Sequence, residues 1–458
     1  MSAEGRAKAA AKIRAQLAHN RAVLVNAGSM MSTVLVTALL GAAFWLIAAR
    51  QFSHDAVGVA SAAVSAMTLL GYLATVGLGT LLMGELPRRD RHHRGLLNAA
   101  LAVSGAIGAA IGLGFAIAAP LVSPDLEPLS ETWPAAVVFA IGAGLTGLAA
   151  VLDQALIGLL RGGLQLKRNV VFSLVKLIAL GLIAYLSTDA GGAWIYAAWT
   201  VGIAVSLVVL ARFYMRRGED GLRPRFALLG EMRVDAATHH IYNLSIRAPD
   251  LVLPLIVVSL LSAGANANFY IAWMIASFGF MVPVSLSSVL YAVGSGDSVG
   301  LHERYRLSVG LSAGLGLAAN LVLLVAGGPI LSLFGAGYEQ GALGTLHILA
   351  LGVFPETIKA HYLSISRVQR RIPQSMPLVI GGTVLELACA VAGALAGSLT
   401  LVAAGWLAAV CVEAVVMSRT VYRFLRIAPG SGSPDKPAAP VHSDSGDRAT
   451  PDQHSEIV

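Results

Sequence analysis

The sequence predicts an all-α polytopic membrane protein. It is read as about twelve transmembrane helices in two six-helix bundles related by a pseudo-two-fold axis along the membrane normal. Three observations lead there. The 458 residues are 56% hydrophobic and only 12% charged, against about 25% charged in soluble domains, and mean hydropathy is +0.73. Uncharged runs at 22–49, 56–84, 95–124, 190–211 and 307–338 each exceed the roughly 20 apolar residues that span a bilayer as a helix. The basic residues, finally, are sorted by loop. Of 32 Lys and Arg, all but Arg50, Lys176, Arg247 and Lys359 fall in the termini or in loops near 85–94, 161–168, 212–235, 302–306 and 367–373. The alternate loops carry only Arg50. Basic loops stay cytoplasmic, so both termini are placed inside the cell membrane. The net charge of +7 and pI near 9.5 then record topology, and no nucleic-acid partner is expected.

Taken in order, residues 1–21 alternate Ala with Arg and Lys ("AKAAAKIRAQLAHNR") and read as a basic cytoplasmic segment on the membrane surface. The expected spans of the first bundle (22–213) are 23–48, 57–83, 96–119, 134–158, 169–187 and 192–213. The first is too long for a signal-peptide core of about 7–15 residues and is retained as a helix. A basic linker, 214–240, carries no nucleotide motif. Spans 241–261, 266–293, 307–331, 342–364, 376–397 and 401–422 make the second bundle (241–426). The Pro-, Ser- and Asp-rich tail 427–458 lacks the apolar residues to order itself.

The halves read as a repeat. "HHRG" at 92 and "HERY" at 302 each open a third helix, which closes in "APLVS" (119–123) and "GPILS" (328–332). Parallel repeats of this kind put a transporter's site between the halves. No loop on the far side exceeds about 14 residues, leaving no room for an external catalytic domain, so the chain is read as a non-enzyme without cofactor. Gly142, Gly144 and Gly147 match G-x-G-x-x-G but lie within a span, without the strand that dinucleotide binding requires; close helix packing explains them better. His92–His93 and His239–His240 have no ligand-spaced partners, and Cys389 and Cys411 sit apart in apolar runs.

The informative residues are the charges inside spans: Lys176, Arg247 and Lys359 against Asp153, Asp250, Glu356, Glu386 and Glu413. Each costs about 2.5–3.5 kcal/mol at the bilayer centre even on the lenient scale, so each must face protein or water. Asn243, Arg247, Asp250 and Pro254 form one stripe along the seventh span, with Arg247 and Asp250 spaced to pair. Pro249 and Pro254 free carbonyls there that water or neighbours must satisfy. Glu356 and Lys359 repeat the pairing in the tenth span. Asp153 and Lys359 each precede an arginine, Arg161 or Arg367, by eight residues. In the fifth span Asn169, Ser173 and Lys176 align. In the second, Ser61, Ser65, Thr68, Tyr72 and Thr75 form a hydroxyl face suited either to a hydrated cavity and sugar hydroxyls or to helix packing. Lys176 and Lys359 lie near enough to a helix end that snorkelling is an alternative. Glu386 and Glu413 have no neighbouring cation in sequence, which makes them the candidates for coupling protons.

"GAAFWLIAARQFSHDAVGVASA" (41–62), "ALIGLLRGGLQLKRNVVFSLVKL" (155–177), "NFYIAWMIA" (268–276) and "FGAGYEQGALGTLHILAL" (334–351) resemble the bacterial polysaccharide-transport or O-antigen flippase family. That family belongs to the multidrug/oligosaccharidyl-lipid/polysaccharide exporter superfamily. The resemblance covers all but the two tails. It implies a monomer that moves a polyprenyl-pyrophosphate-linked oligosaccharide between leaflets by alternating access, among membrane lipids and other polysaccharide-assembly proteins. It further implies substrate contacts from Arg247, Lys176, Lys359, Asn243, Arg50, Ser65, Thr68 and Tyr72, with Arg247 and Lys176 on the pyrophosphate. Asp250, Glu356, Asp153, Glu386 and Glu413 are the expected coupling or ion-pair set. A multidrug antiporter of the same superfamily is the alternative, although the first span lacks the acid such exporters typically carry there. A membrane glycosyltransferase or polymerase is a more distant one. The embedded charges themselves, three cations against five acids, do not by their sum favour an anion.

Overall fold

Helix boundaries fall where the sequence can cap them. Ser53 accepts from the Ala56 N–H at 3.2 Å, Thr132 from Ala135 at 3.4 Å and Ser398 from Leu401 at 3.3 Å, each satisfying a backbone donor that the first helical turn leaves free. Pro134 and Pro373 occupy first-turn positions where no N–H is needed. The computed structural model describes residues 21–86, 93–187, 191–215, 224, 226, 229, 234–294 and 301–426. The N-terminal basic segment, most of the linker and the tail lie outside the described residues.

The helices run α1 (Arg21–Gln51), α2 (His54–Ala74), α3 (Leu78–Glu85), α4 (His93–Val122), α5 (Trp133–Gly158), α6 (Gly162–Leu186) and α7 (Gly192–Met215), then α8 (Val234–Leu260), α9 (Ala263–Gly294), α10 (Leu301–Ser332), α11 (Ala336–Leu351), α12 (Val353–Val368), α13 (Ile372–Leu395) and α14 (Leu399–Leu425). A short 3-10 helix, Pro124–Leu129, joins α4 to α5. Among the described residues ten helices are long and apolar enough to cross a membrane, eleven with α11 and α12 taken as one bent span. In α1 the stretch Val36–Gln51 is a shorter apolar segment. Each expected span overlaps these elements, the second and the tenth overlapping two each.

Two spans are broken, which the hydropathy pattern did not foretell. The second divides at Val76 (φ 45°) and Gly77 (φ 79°) into α2 and α3, and the tenth bends by 42° between α11 and α12. Hydropathy is continuous through both breaks, so only the backbone reveals them. The repeat is clearer in backbone than in sequence. Leu160 and Arg370 both take positive φ, 52° and 55°, between the fourth and fifth spans of their halves. Arg161 N–H donates to Leu156 O, and Arg371 N–H to Ser366 O, each at 2.8 Å.

Lipid removes the hydrophobic drive between helices, so close backbone approach decides their packing. A Cβ on Gly144 would lie 2.7 Å from Gly105 O, and one on Gly147 3.0 Å from Gly71 O. The glycine motif is thus helix contact. A single buried cluster runs from Phe44, Ala63 and Phe139 in the first half to Leu253, Phe269 and Trp406 in the second.

Candidate functional site

The two halves meet tightly at the end away from the basic loops. Asn266 donates to Gly58 O at 2.8 Å and to Ser61 Oγ at 3.0 Å. Ala263 N–H donates to Asp125 Oδ2 at 2.8 Å, and Nε2 of His54 donates to Asn268 Oδ1 at 2.9 Å. Arg50 donates to the carbonyls of Leu333 and, at 3.0 Å, Ser332, at the C-terminus of α10 where the helix dipole favours a cation. Arg50 is therefore a clasp between halves and does not reach a cavity.

Towards the basic end the halves enclose a cavity of about 440 Å³. Its lining comes chiefly from α8, α9 and α12, with Tyr72 and Gln154 from the first half. It runs from His240, Asn243 and Arg367 to Trp273 and Trp406. The α8 stripe points into it as its spacing requires: Asn243, Arg247 and Asp250 are exposed, while Pro254 is buried. The Arg247–Asp250 contact is long, 3.9 Å, with side chains 64% and 45% exposed. So loose a pair leaves the guanidinium donors free for another acceptor. Across from it Arg367 donates to Asn243 Oδ1 at 3.3 Å and sits over the Tyr242 ring. Arg367, which the sequence assigns to a loop, brings a third cation to the cavity beside Arg247 and Lys359. The three balance Asp250, Glu356 and Glu386 among the lining groups.

The expected Glu356–Lys359 pair is present but is the weakest of three. Lys359 Nζ lies 3.8 Å from Glu356, 3.1 Å from Glu413 Oε2, and in hydrogen-bond contact with Glu386 Oε1. Trp406 Nε1–H donates to the other Glu386 oxygen at 2.7 Å. Glu386 and Glu413 are thus not without a cation. Their partner arrives from another helix, which no sequence spacing displays.

Other expectations shift in the same way. Lys176 does not line the cavity. It is 2% exposed, and its Nζ lies 3.6, 4.5 and 5.0 Å from the ring centres of Trp199, Phe172 and Phe44. Three aromatic faces stabilise its charge; snorkelling does not explain it. Asp153 pairs with Arg168 through two hydrogen bonds of 2.9 and 2.6 Å, because α6 begins at Gly162 and carries Arg168 nearly two turns inside. On α2 the packing reading prevails. Ser61 and Ser65 are buried, Thr68 bonds its own helix at Val64 O, and Thr75 bonds Tyr72 O. Of that face, only Tyr72 lines the cavity.

No protein-family profile matches the sequence, and none of the curated proteins matches it. Solved structures do. An inward-facing multidrug-resistance MATE-family transporter of the MOP superfamily superposes with a TM-score of 0.68 at 16% identity, over 88% of this chain and 99% of that one. The chain shares its fold with that transporter. The lipid II flippase MurJ, in an inward closed conformation, gives 0.66 at 11% identity over 86% and 88%. A MOP-superfamily transporter from Pyrococcus furiosus, whose binding pocket is of reversed polarity, gives 0.58 at 15% identity over 89% and 96%. The all-helical, two-bundle architecture expected from the sequence is that of these transporters, and the chain is a multi-pass membrane protein.

Proposed function

We propose that the chain is a flippase that carries a polyprenyl-pyrophosphate-linked oligosaccharide across the cytoplasmic membrane by alternating access. Its basic loops and both termini face the cytoplasm, and the present conformation is the inward-facing one. The observation that carries this reading is Arg247, a guanidinium exposed in a membrane-embedded cavity with its nearest acid at 3.9 Å and Arg367 across from it. Planar guanidinium groups suit diphosphate oxygens through paired N–H donors. Asn243, Gln154 and Tyr72 offer hydrogen bonds to sugar hydroxyls, and the likeness to a lipid II flippase supports the cargo class.

A second reading, export of amphipathic cations, draws on the carboxylates Asp250, Glu356 and Glu386 beside Trp273, Phe280 and Trp406 and on the likeness to multidrug transporters. Proteoliposomes separate the two. A fluorescent lipid-linked oligosaccharide should be translocated, with Arg247→Gln and Arg367→Gln each slowing it at least about tenfold, the scale of one lost charge-assisted hydrogen bond. Efflux of a fluorescent cation without glycan translocation would decide for the second reading.

A further inference from the structure

The repeat places two charged boxes at equivalent positions, and their differences assign them different work. With the α5–α6 and α12–α13 corners at Leu160 and Arg370 as the register, Lys176 corresponds to Glu386 and Phe172 to Gly382, each pair 210 apart. Trp199 and Trp406 each stand seven residues into the last helix of their half, after Gly192 and Leu399. In the first half the tryptophan face covers a lysine and Phe172 closes the box. In the second the tryptophan N–H binds a carboxylate and a glycine replaces the phenylalanine. That glycine makes room for an acid. A Cβ on Gly382 would lie 2.6 and 2.7 Å from the two oxygens of Glu413.

Charge balance fixes what the second box holds. Lys359 is one ammonium among Glu386 and Glu413, whose side chains are 1% and 2% exposed, with Glu356 at the cavity edge. Both oxygens of Glu386 are bonded, one to Lys359 and one to Trp406. Glu413 Oε2 lies 3.1 Å from the Lys359 ammonium it shares with Glu386, but neither Glu413 oxygen meets hydrogen-bond geometry with a donor, and the Glu386 carboxylate stands beside it. An ionised carboxylate buried so, with its ammonium already engaged, is costly enough that it neutralises instead. We propose that Glu413 holds an exchangeable proton, making the Lys359–Glu386–Glu413 cage a proton-binding site of the second half, with no counterpart among the described residues of the first.

The route out runs through Lys359. An N–H bond of Lys359 breaks as Glu356 gains an O–H. Lys359 recovers its proton from Glu413, which becomes a carboxylate, and Glu356 passes its proton to cavity water. Charge is conserved until that last step. The groups facing the cage are Lys359 and Glu356 from α12, Glu386 from α13, and Asp250 from α8, which acts on Glu356 and Glu386; Arg247 in turn faces Asp250. Arg306 and His347, on α10 and α11, bond instead to Leu425 O and Leu323 O, and Glu339 lies beside Gly328.

The site stands on its geometry. Only its use in coupling rests on the transport reading above. Infrared spectra of the purified chain in lipid at neutral pH should show a protonated-carboxyl C=O band that shifts in D₂O. Glu413→Gln, nearly isosteric, should remove that band, Gly382→Ala should displace it without removing it, and Lys176→Gln should leave it unchanged. Absence of the band, or its persistence in Glu413→Gln protein that melts as wild type, overturns the proposal. In proteoliposomes, a pH gradient that accelerates glycan translocation by wild type but not by Glu413→Gln supports the coupling role, and equal acceleration of both overturns it. Because the spectra need no cargo, a failed transport reading would leave the band intact and be recognised separately.

Discussion

Gly58→Ala tests whether closure of the far end is held by contact between α2 and α9. A Cβ at Gly58 would stand 2.5 Å from the Ala263 carbonyl carbon and 3.0 Å from its Cα, with the carbonyl oxygen nearer still. All three atoms are backbone, so no side chain can swing aside. Restoring carbon–carbon contact at roughly 3.5 Å requires the helices to part by about 1 Å. The Asn266 bonds to Gly58 O and Ser61 Oγ, now 2.8 and 3.0 Å, would then exceed useful length. Overpacking costs about 1–3 kcal/mol and the two hydrogen bonds about 0.5–1.5 kcal/mol each, so the closed state should lose about 2–6 kcal/mol. At about 1.4 kcal/mol per decade, the open-to-closed ratio should rise roughly 30-fold or more. Spin labels at Gln51 and Leu333, both exposed on that end, should report a longer inter-label distance in nanodiscs. The distance distribution of wild type, retained in Gly58→Ala protein of unchanged melting temperature, would refute the argument that this contact sets the closed state.

Arg168→Ala should leave the half-buried Asp153 carboxyl without its guanidinium, at a cost approaching the roughly 3–5 kcal/mol of a broken buried pair; thermal melting reads this, and Asp153→Asn combined with Arg168→Gln should recover most of the loss. Arg247→Gln should slow glycan translocation, and Asp250→Asn in the same chain should not restore it if the guanidinium serves cargo; recovery in the double variant would reduce Arg247 to a partner of Asp250. Lys176→Met should raise or preserve stability, since an apolar side chain of similar length fills the aromatic box; a fall of several degrees in melting temperature would mean that the cation–π contacts outweigh desolvation. A cysteine placed at 370 should be labelled from the cytoplasmic side only, and labelling from outside intact cells would invert the topology.

The helical architecture was legible because a bilayer imposes element length directly on sequence, and each expected span overlaps a helix. What escaped shows where that imposition ends. The break at Val76–Gly77 and the bend before Val353 leave hydropathy untouched. The stripe Asn243–Arg247–Asp250 was readable because helical periodicity places it on one face, and its exposure in the cavity follows. Glu386 and Glu413 looked isolated because their cation sits on α12, 27 residues from Glu386 and farther still from Glu413. Lys176 looked like a cavity cation because two of its three rings, Phe44 and Trp199, arrive from other helices and only Phe172 lies in its neighbourhood of sequence. Arg168 and Arg367 were assigned to loops by boundary errors of about two turns and about one turn, enough to hide a salt bridge and a cavity-lining arginine.

The paired corners at Leu160 and Arg370 bear on how the protein could be handled. Neither residue is glycine, yet both hold positive φ, at about 1–2 kcal/mol each. A leucine and an arginine share nothing that would favour such a backbone, so the corner belongs to the repeated chain path and is tolerated by whichever side chain occupies it. Glycine would relieve the strain while giving back about 0.4–1 kcal/mol through the freer unfolded chain. Neither position lines the cavity or the proton cage. Leu160→Gly with Arg370→Gly is therefore a route to a longer-lived purified sample whose transport cycle is left as it was.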